Sequence, residues 1–476
     1  EIPLRLVGSE MCIRDRDPQK ASEIYADRYQ IRMYGIYFIF GFSDGRSVRE
    51  FLKKCDNTNL IVICEPDIEL FAMNCHFFDI SDLVSASNVL FYFMELEHDM
   101  DAILGKIVEY TRIRLLEFCI LPGFDVLYNK QCERFMDGVV ERIRNETVNK
   151  STSITFERLI PQHTLYHMRN VIYHKNIGQL YFALQNYNLS NIPCIIVGAG
   201  PSLDKNINLL KQAQGKSFII VVDAALRTAL KAGIQPDLVC TVDAKSPERF
   251  FEGVDLENII WAYTRTTRKS IAEKYGRDIF YYGTFYSKWN KVLEEQLGYP
   301  IPSFPSGGCV SSEAFGLALY LGFRTIVLIG QDLAFTGGNT HTKEATVGRP
   351  LSDEKYIQNR RIVEVEGIDG SMLETDFQMW FYKQWFEKVI EMNQNQIKVI
   401  DATEGGAKIG GTIIQTLEET IERECKQYLD FYEIEKQIPL AFLPQEQEEL
   451  LQKLRDMKDD VRSFRKKIGN MLSLIH

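Results

Sequence analysis

The sequence predicts an α/β fold: a Rossmann-like central parallel sheet, an N-terminal Rossmann-like domain before it and a helical C-terminal region after it. Three observations predict this. Short, near-continuous apolar runs recur along the chain, as strands buried on both faces of a parallel sheet do. Helix-like segments with polar flanks separate most of these runs, giving βαβ units. Glycines or acids follow several of them, at the carboxyl ends where such sheets bind ligands. A length of 476 residues accommodates about three domains.

The first domain is expected over residues 17–190. Tyr34–Phe40, Leu60–Cys64 and Asn88–Phe93 read as strands and Ser47–Lys54 as a helix. Gly41-Phe42-Ser43-Asp44-Gly45 approximates a phosphate turn, and Glu65 closes the next strand, where an acid can hold a ribose hydroxyl. The lack of G-x-G-x-x-G favours a Rossmann-like domain without a nucleotide. Beyond Met100 the pattern becomes helical, a connection into the centre. His163, His167 and His174 can share one helical face. With no H-E-x-x-H beside them, helix packing is expected rather than a metal.

The central domain is expected over residues 191–411, with strands at Cys194–Val197, Phe218–Val222, Leu238–Val242, Ile259–Ala262, Ile279–Tyr282 and Thr325–Ile329. Residues 412–471 carry heptad-like apolar positions, broken by Pro439 and Pro444, and then a long helix bearing Leu450, Leu451, Leu454, Met457, Val461 and Phe464. That helix is expected to pack onto the centre or to pair chains into a homo-oligomer. Residues 1–16 and 472–476 have no fold pattern, look like translated adapter sequence and are set aside.

Composition narrows the partners. Lys plus Arg is 55 against 65 Asp plus Glu, a net charge of −10, with no basic block to follow a phosphate backbone, so no nucleic acid is expected. The longest apolar runs fall far short of the roughly 20 residues of a membrane span. Ten cysteines without a C-x-x-C pair suggest buried thiols in a reducing cytoplasm.

Four places can carry chemistry. In Cys194–Asp204 (CIIVGAGPSLD) a buried strand meets Gly198-Ala199-Gly200, and Pro201 and Ser202 open a helix. Such a turn aims N–H groups and a positive helix end at one spot, suiting a phosphate. The next two strands end in Asp223 and Asp243, acids able to accept hydrogen bonds from sugar hydroxyls, to hold a metal or, alternatively, to cap helices. Ser306-Gly307-Gly308-Cys309 leads into an apolar helix as a second turn of the same kind. The last central strand runs into Gly330-Gln331-Asp332, then a glycine-hinged loop holding His341, a candidate general base.

The ordered set GAGPSLD, VVDAAL, TVDAK, SGGCV, IGQDLAF with T-x-H-T, and DATEGGAKIGGT at Asp401–Thr412 resembles the motility-associated factor (Maf) family of flagellin glycosyltransferases from about residue 20 to 470. That family's central domain is MptE-like, related to archaeal pterin pyrophosphokinases, and similar to bacterial sialyltransferases. The resemblance implies transfer of pseudaminic or legionaminic acid, two nonulosonic acids, from a CMP donor to Ser or Thr of flagellin, as flagellum assembly and motility require. It implies that Gly198, Gly200, Pro201 and Ser202 cradle the CMP, that Ser306, Gly307 and Gly308 lie by the nucleotide, and that Asp223, Asp243 and Asp332 border the donor pocket. His341 and Asp332 are the catalytic candidates. Because CMP is an activated leaving group and no DxD motif is evident, no cofactor or metal is needed and inversion by direct displacement is expected. Two other readings stay open: an ATP- and magnesium-dependent pterin pyrophosphokinase, and a non-catalytic flagellin-binding protein.

Overall fold

The computed structural model of the chain describes residues 17–475 apart from 97–103, 106, 108–109, 157, 255–258, 276–278, 285–290, 292–293, 296–297, 299, 346–348 and 359. The expected adapter-like segment 1–16 and the last residue of the closing one lie outside the described residues. The chain forms two compact units, 1–156 and 157–476.

The first unit opens with α1 (Pro18–Asp27), β1 (Ile36–Phe40), α2 (Arg46–Leu52), β2 (Leu60–Glu65), α3 (Ile68–Phe77), β3 (Val89–Phe93) and β4 (Leu116–Ile120), and ends in α4 (Asn129–Thr155). Its four strands pair in parallel in the order β3-β2-β1-β4. All five residues of β1 are buried because a strand flanks it on each side and helices cover both faces. β4 falls where the sequence reads as helical connection. It is an edge strand, mostly half-buried and carrying Glu117 within its apolar residues, so its run lacks the continuity of a central strand.

The second unit holds a larger sheet. β5 (Lys175–Asn176), β6 (Cys194–Val197), β7 (Phe218–Val222), β8 (Leu238–Thr241), β9 (Ile260–Thr264), β10 (Ile279–Thr284), β11 (Ser303–Phe304), β12 (Thr325–Ile329), β15 (Lys398–Asp401) and β16 (Ile413–Ile414) belong to it, while β13 (Ile362–Glu366) and β14 (Met372–Asp376) form a separate antiparallel hairpin. The order is β11-β10-β9-β8-β7-β6-β12-β15-β16, all parallel, with β5 alongside β10. Strand order reverses between β6 and β12, the switch point beyond which open α/β sheets leave a crevice.

Alternate side chains face opposite layers. On one face Ile195, Val197, Ile219, Val221, Trp261, Tyr263 and Tyr281 share a core with α5 (Leu159–Tyr173), α7 (Leu226–Lys231), α10 (Leu417–Glu424) and the start of α12 (Pro444–Ile475). On the other, Ile196, Phe218, Ile220, Cys240, Tyr282 and Leu328 meet α6 (Ile177–Leu184), α8 (Val310–Leu321), α9 (Phe377–Asn393) and α11 (Phe431–Lys436).

This core moves two expected borders. The segment 157–190, assigned from the sequence to the first domain, belongs with the second unit. Val171 and Ile172 of α5 sit in its core, β5 joins its sheet, and α6 covers the opposite face. The C-terminal helices are likewise part of it, since Leu417, Ile421, Phe442 and Leu450 are buried against the sheet. All nine described cysteines are free thiols, and among the described residues no helix is long and apolar enough to cross a membrane.

Candidate functional site at the carboxyl rim of the central sheet

β6, β12 and β15 end side by side, and their loops interlock at the switch point. A Cβ on Gly198 would stand 2.5 Å from Gly330 O, one on Gly200 1.9 Å from Asp332 Oδ1, and one on Gly405 2.2 Å from Ser202 Oγ. The glycines are there so that three turns can touch one another. Gly198 N–H donates to Ile329 O (2.8 Å) and Gly200 N–H to Gly330 O (2.7 Å). Ser202 N–H reaches both oxygens of Asp332 (3.2 and 3.3 Å), and its hydroxyl donates to Oδ2 at 2.6 Å.

This geometry corrects two expectations. The amides of Gly198, Gly200 and Ser202, expected to cradle a phosphate, are already donated to protein acceptors, and the Asp332 carboxylate occupies the spot an anion would take beside Ser202. Asp332, expected to be catalytic, is buried and turned inward. Burial raises its pKa, and the Ser202 bonds oppose that rise. It is a positioning residue that locks β6's turn to β12's. Asp401, equally buried, is pushed up to about 6 by desolvation, with Asp332 nearby adding to the rise.

Further along the rim Asp223 is also enclosed. Its Oδ2 accepts from Thr241 Oγ1 (2.8 Å) and Ser246 Oγ (2.7 Å), and its Oδ1 from Ala224 N–H (2.8 Å). It therefore fixes the loop after β8 rather than capping a long helix. That loop presents Asp243, which is exposed and accepts from Lys245 N–H at 2.8 Å. Of the three expected strand-end acids, Asp243 alone faces solvent.

The Ser306-Gly307-Gly308 turn is organised by a residue the sequence reading missed. Ser312, in the first turn of α8, accepts from Gly307 N–H (2.9 Å) and Cys309 N–H (3.2 Å) and donates to Cys309 O (2.7 Å). Gly308 has φ of 86°, and a Cβ on Gly307 would strike the Trp385 ring at 2.6 Å. Next to Ser312, Glu313 is buried, and desolvation raises it to about 7 while a bond to Ser306 opposes the rise. Glu313 and Asp223 both act electrostatically on Cys240 and Tyr282, so the Ser306 turn and the end of β7 share one neighbourhood. The available signal was a carboxylate inside an otherwise apolar helix.

The loop after β12 folds back over the rim. Thr342 N–H donates to Ala199 O (2.9 Å), and Thr342 Oγ1 meets Thr228 Oγ1 of α7 at 3.1 Å. His341 is half-buried, with Nδ1 2.8 Å from Thr340 Oγ1, and burial alone lowers its pKa. Burial thus favours its uncharged ring. In the tautomer that donates Nδ1–H to Thr340, Nε2 keeps a lone pair able to accept a proton. Among the described residues no three His, Cys, Asp or Glu side chains gather as a metal set.

Residues 167–338, from within α5 to the first residues of the loop after β12 and short of His341, match the family model described as 6-hydroxymethylpterin diphosphokinase MptE-like. The match covers about a third of the chain. All the strand ends of the site except β15 lie within it. A Maf glycosyltransferase from Magnetospirillum magneticum AMB-1 shares the fold across 95% of this chain, with a TM-score of 0.53 and 16% identity. The chain spans 66% of that protein's length. An uncharacterized protein of Treponema pallidum (strain Nichols) is 41% identical over 61 residues, 13% of this chain and 14% of that protein. The expected likeness to Maf proteins thus holds for the fold, and the MptE-like centre expected from the motifs is matched by the family model.

The turn after β1, by contrast, is filled. Gly41 has φ of 92°, and a Cβ there would lie 2.4 Å from the Phe124 ring. Phe42 is fully buried against Phe71 and Phe91. Glu65 is buried at the end of β2, accepts from Asp67 N–H (3.1 Å), and is raised to about 7 by desolvation.

Proposed function

We propose that this protein is a cytoplasmic glycosyltransferase that moves a nonulosonic acid, pseudaminic or legionaminic, from its CMP derivative to Ser or Thr of flagellin. The observation that carries the reading is the placement, along the carboxyl rim of one parallel sheet, of the glycine turn after β6, the loop bearing His341 that folds onto it through Thr342, and the Ser306 turn near the end of β7. The fold shared with a Maf glycosyltransferase supports it.

In this reading the interlocked glycine turns form the rigid floor of the donor site, with Asp332 and Asp223 bracing them from within. Asp243 and the Ser306 hydroxyl are the polar groups offered to the donor's hydroxyls. His341 Nε2 takes the proton of the acceptor hydroxyl as its oxygen bonds the anomeric carbon from the face opposite CMP. The bond from that carbon to the phosphate oxygen breaks, and CMP leaves with the electron pair. No metal or cofactor takes part in these steps. The test is the intact mass of flagellin co-expressed with and without the protein. An added increment of one nonulosonic acid is expected, and an unchanged flagellin mass with the matching CMP-sugar present would overturn the assignment.

The family description favours a second reading, a pterin diphosphokinase. It predicts consumption of ATP in the presence of magnesium and a hydroxymethylpterin, whereas the transferase reading predicts none.

A further inference from the structure

We propose that Arg265, with the hydroxyl of Tyr281, forms an oxyanion subsite on the rim of the central sheet, one that receives a carboxylate or phosphate group of a ligand. Arg265 follows β9, whose carboxyl end neighbours that of β8, and its Nη1 donates to Thr164 Oγ1 of α5 at 3.1 Å. No carboxylate among the described residues stands beside it. Its Nε is buried without a hydrogen-bond partner, and so is the hydroxyl of Tyr281, a residue 1% exposed. The two groups feel each other electrostatically, and desolvation lowers the arginine's pKa. Arg265 is half-buried, yet its Nε is cut off from both water and any acceptor, which is costly, and an anion within reach of that N–H and the Tyr281 hydroxyl would satisfy both orphans.

The turn that carries Arg265 is built to hold it still. Thr267 Oγ1 accepts from Thr264 N–H (3.1 Å) and donates to Thr241 O (3.0 Å), and Thr266 Oγ1 donates to Val242 O (2.7 Å). From α5, His163 Nδ1 and His167 Nε2 bond the carbonyls of Thr266 and Thr267 at 3.1 and 2.8 Å. Both rings are thereby donors to the turn, which gives them the packing role expected from their spacing. An arginine needed only to tether α5 would not require so complete a brace, because the histidines already make that connection. The transferase reading is needed only to name the ligand, whose donor carries both a phosphate and a carboxylate.

The test compares the full chain with Arg265→Met and Tyr281→Phe in thermal melts with inorganic phosphate or pyruvate, and in titrations with cytidine, CMP and CMP-N-acetylneuraminate. Phosphate or pyruvate should raise the wild-type Tm, and Arg265→Met should remove that rise while melting no lower than wild type without ligand. Tyr281→Phe should halve the rise or more. A response to phosphate alone assigns the subsite to the phosphate, and one to pyruvate alone to the carboxylate. Arg265→Met should weaken CMP-N-acetylneuraminate at least tenfold and leave cytidine unchanged. No anion response in wild type, or a ligand-free Arg265→Met that melts well below it, would overturn the proposal in favour of a tether. An anion response without CMP-sugar binding would keep the subsite and remove the transferase reading.

Discussion

The turn after β1 and the turn after β6 begin alike, each a buried parallel strand running into glycine, and they end in opposite ways. After β1 the space above the strand ends is taken by the rings of Phe42 and Phe124. After β6 it is framed by polar groups that the neighbouring loops hold in place, Ser202 bonded to Asp332, Asp223 to Ser246 and Thr342 to Thr228, with Asp243 and His341 outside them. A glycine turn at a strand end therefore announces close packing of loops, and only the side chains of the neighbouring loops decide whether a ligand or a ring fills the gap.

The sharpest way to break this comparison is to remove one titratable group from each unit. His341→Ala should lower the rate of flagellin modification by about a hundredfold or more, as loss of a general base does, with CMP affinity within threefold. Glu65→Gln should leave both quantities unchanged. Glycosylation rates and calorimetric titration measure the pair, and an equal loss in Glu65→Gln would mean that the N-terminal unit also takes part in transfer.

A smaller effect is expected from the glycines themselves. Gly41→Ala and Gly200→Ala each push a methyl into occupied space and should cost about 1–3 kcal/mol or more, read from denaturant midpoints. Gly200→Ala should in addition weaken CMP binding, because the new methyl displaces the Asp332 carboxylate from Ser202. Gly41→Ala should not. Asp332→Asn, which keeps the shape and loses the charge, should cost about 1–3 kcal/mol in the same measurement.

The gentlest effect is on pH dependence. Glu313 is raised from 4.5 to about 7 by burial. Between those values the folded state binds more protons than the unfolded one, so this group's contribution to stability falls as pH rises through that window. Glu313→Gln has no such loss, and its Tm relative to wild type should climb from pH 4.5 to 7. A Tm difference that stays flat across that range would show that Glu313 is not the buried acid described.

Much of the fold is legible in the sequence because a strand buried on both faces has only apolar choices. Cys194–Val197, Phe218–Val222 and Thr325–Ile329 are found with the ends expected. β15, Lys398–Asp401, escapes because it offers only two apolar residues, Val399 and Ile400, between a lysine and an aspartate, and its absence hides the third loop of the switch point. Strand order is not written in local pattern at all, so the reversal between β6 and β12 emerges only from pairing. The site was legible as a set of positions and misread as a set of roles. The acids and glycine amides were noticed because they follow strands, but whether Asp332 points outward or into Ser202 depends on a neighbour 130 residues away. Ser312, Glu313 and Arg265 went unnoticed because an interior helix position and a threonine-rich turn resemble ordinary scaffolding.

The position of α5 has a practical consequence. A fragment started at residue 191, where sequence composition suggests a clean cut, would strip the helix that shields Trp261, Tyr263 and Tyr281 and leave a bare aromatic wall in water. Started at 157, the same fragment keeps its lining, which makes that the boundary for dissecting this molecule by expression in pieces.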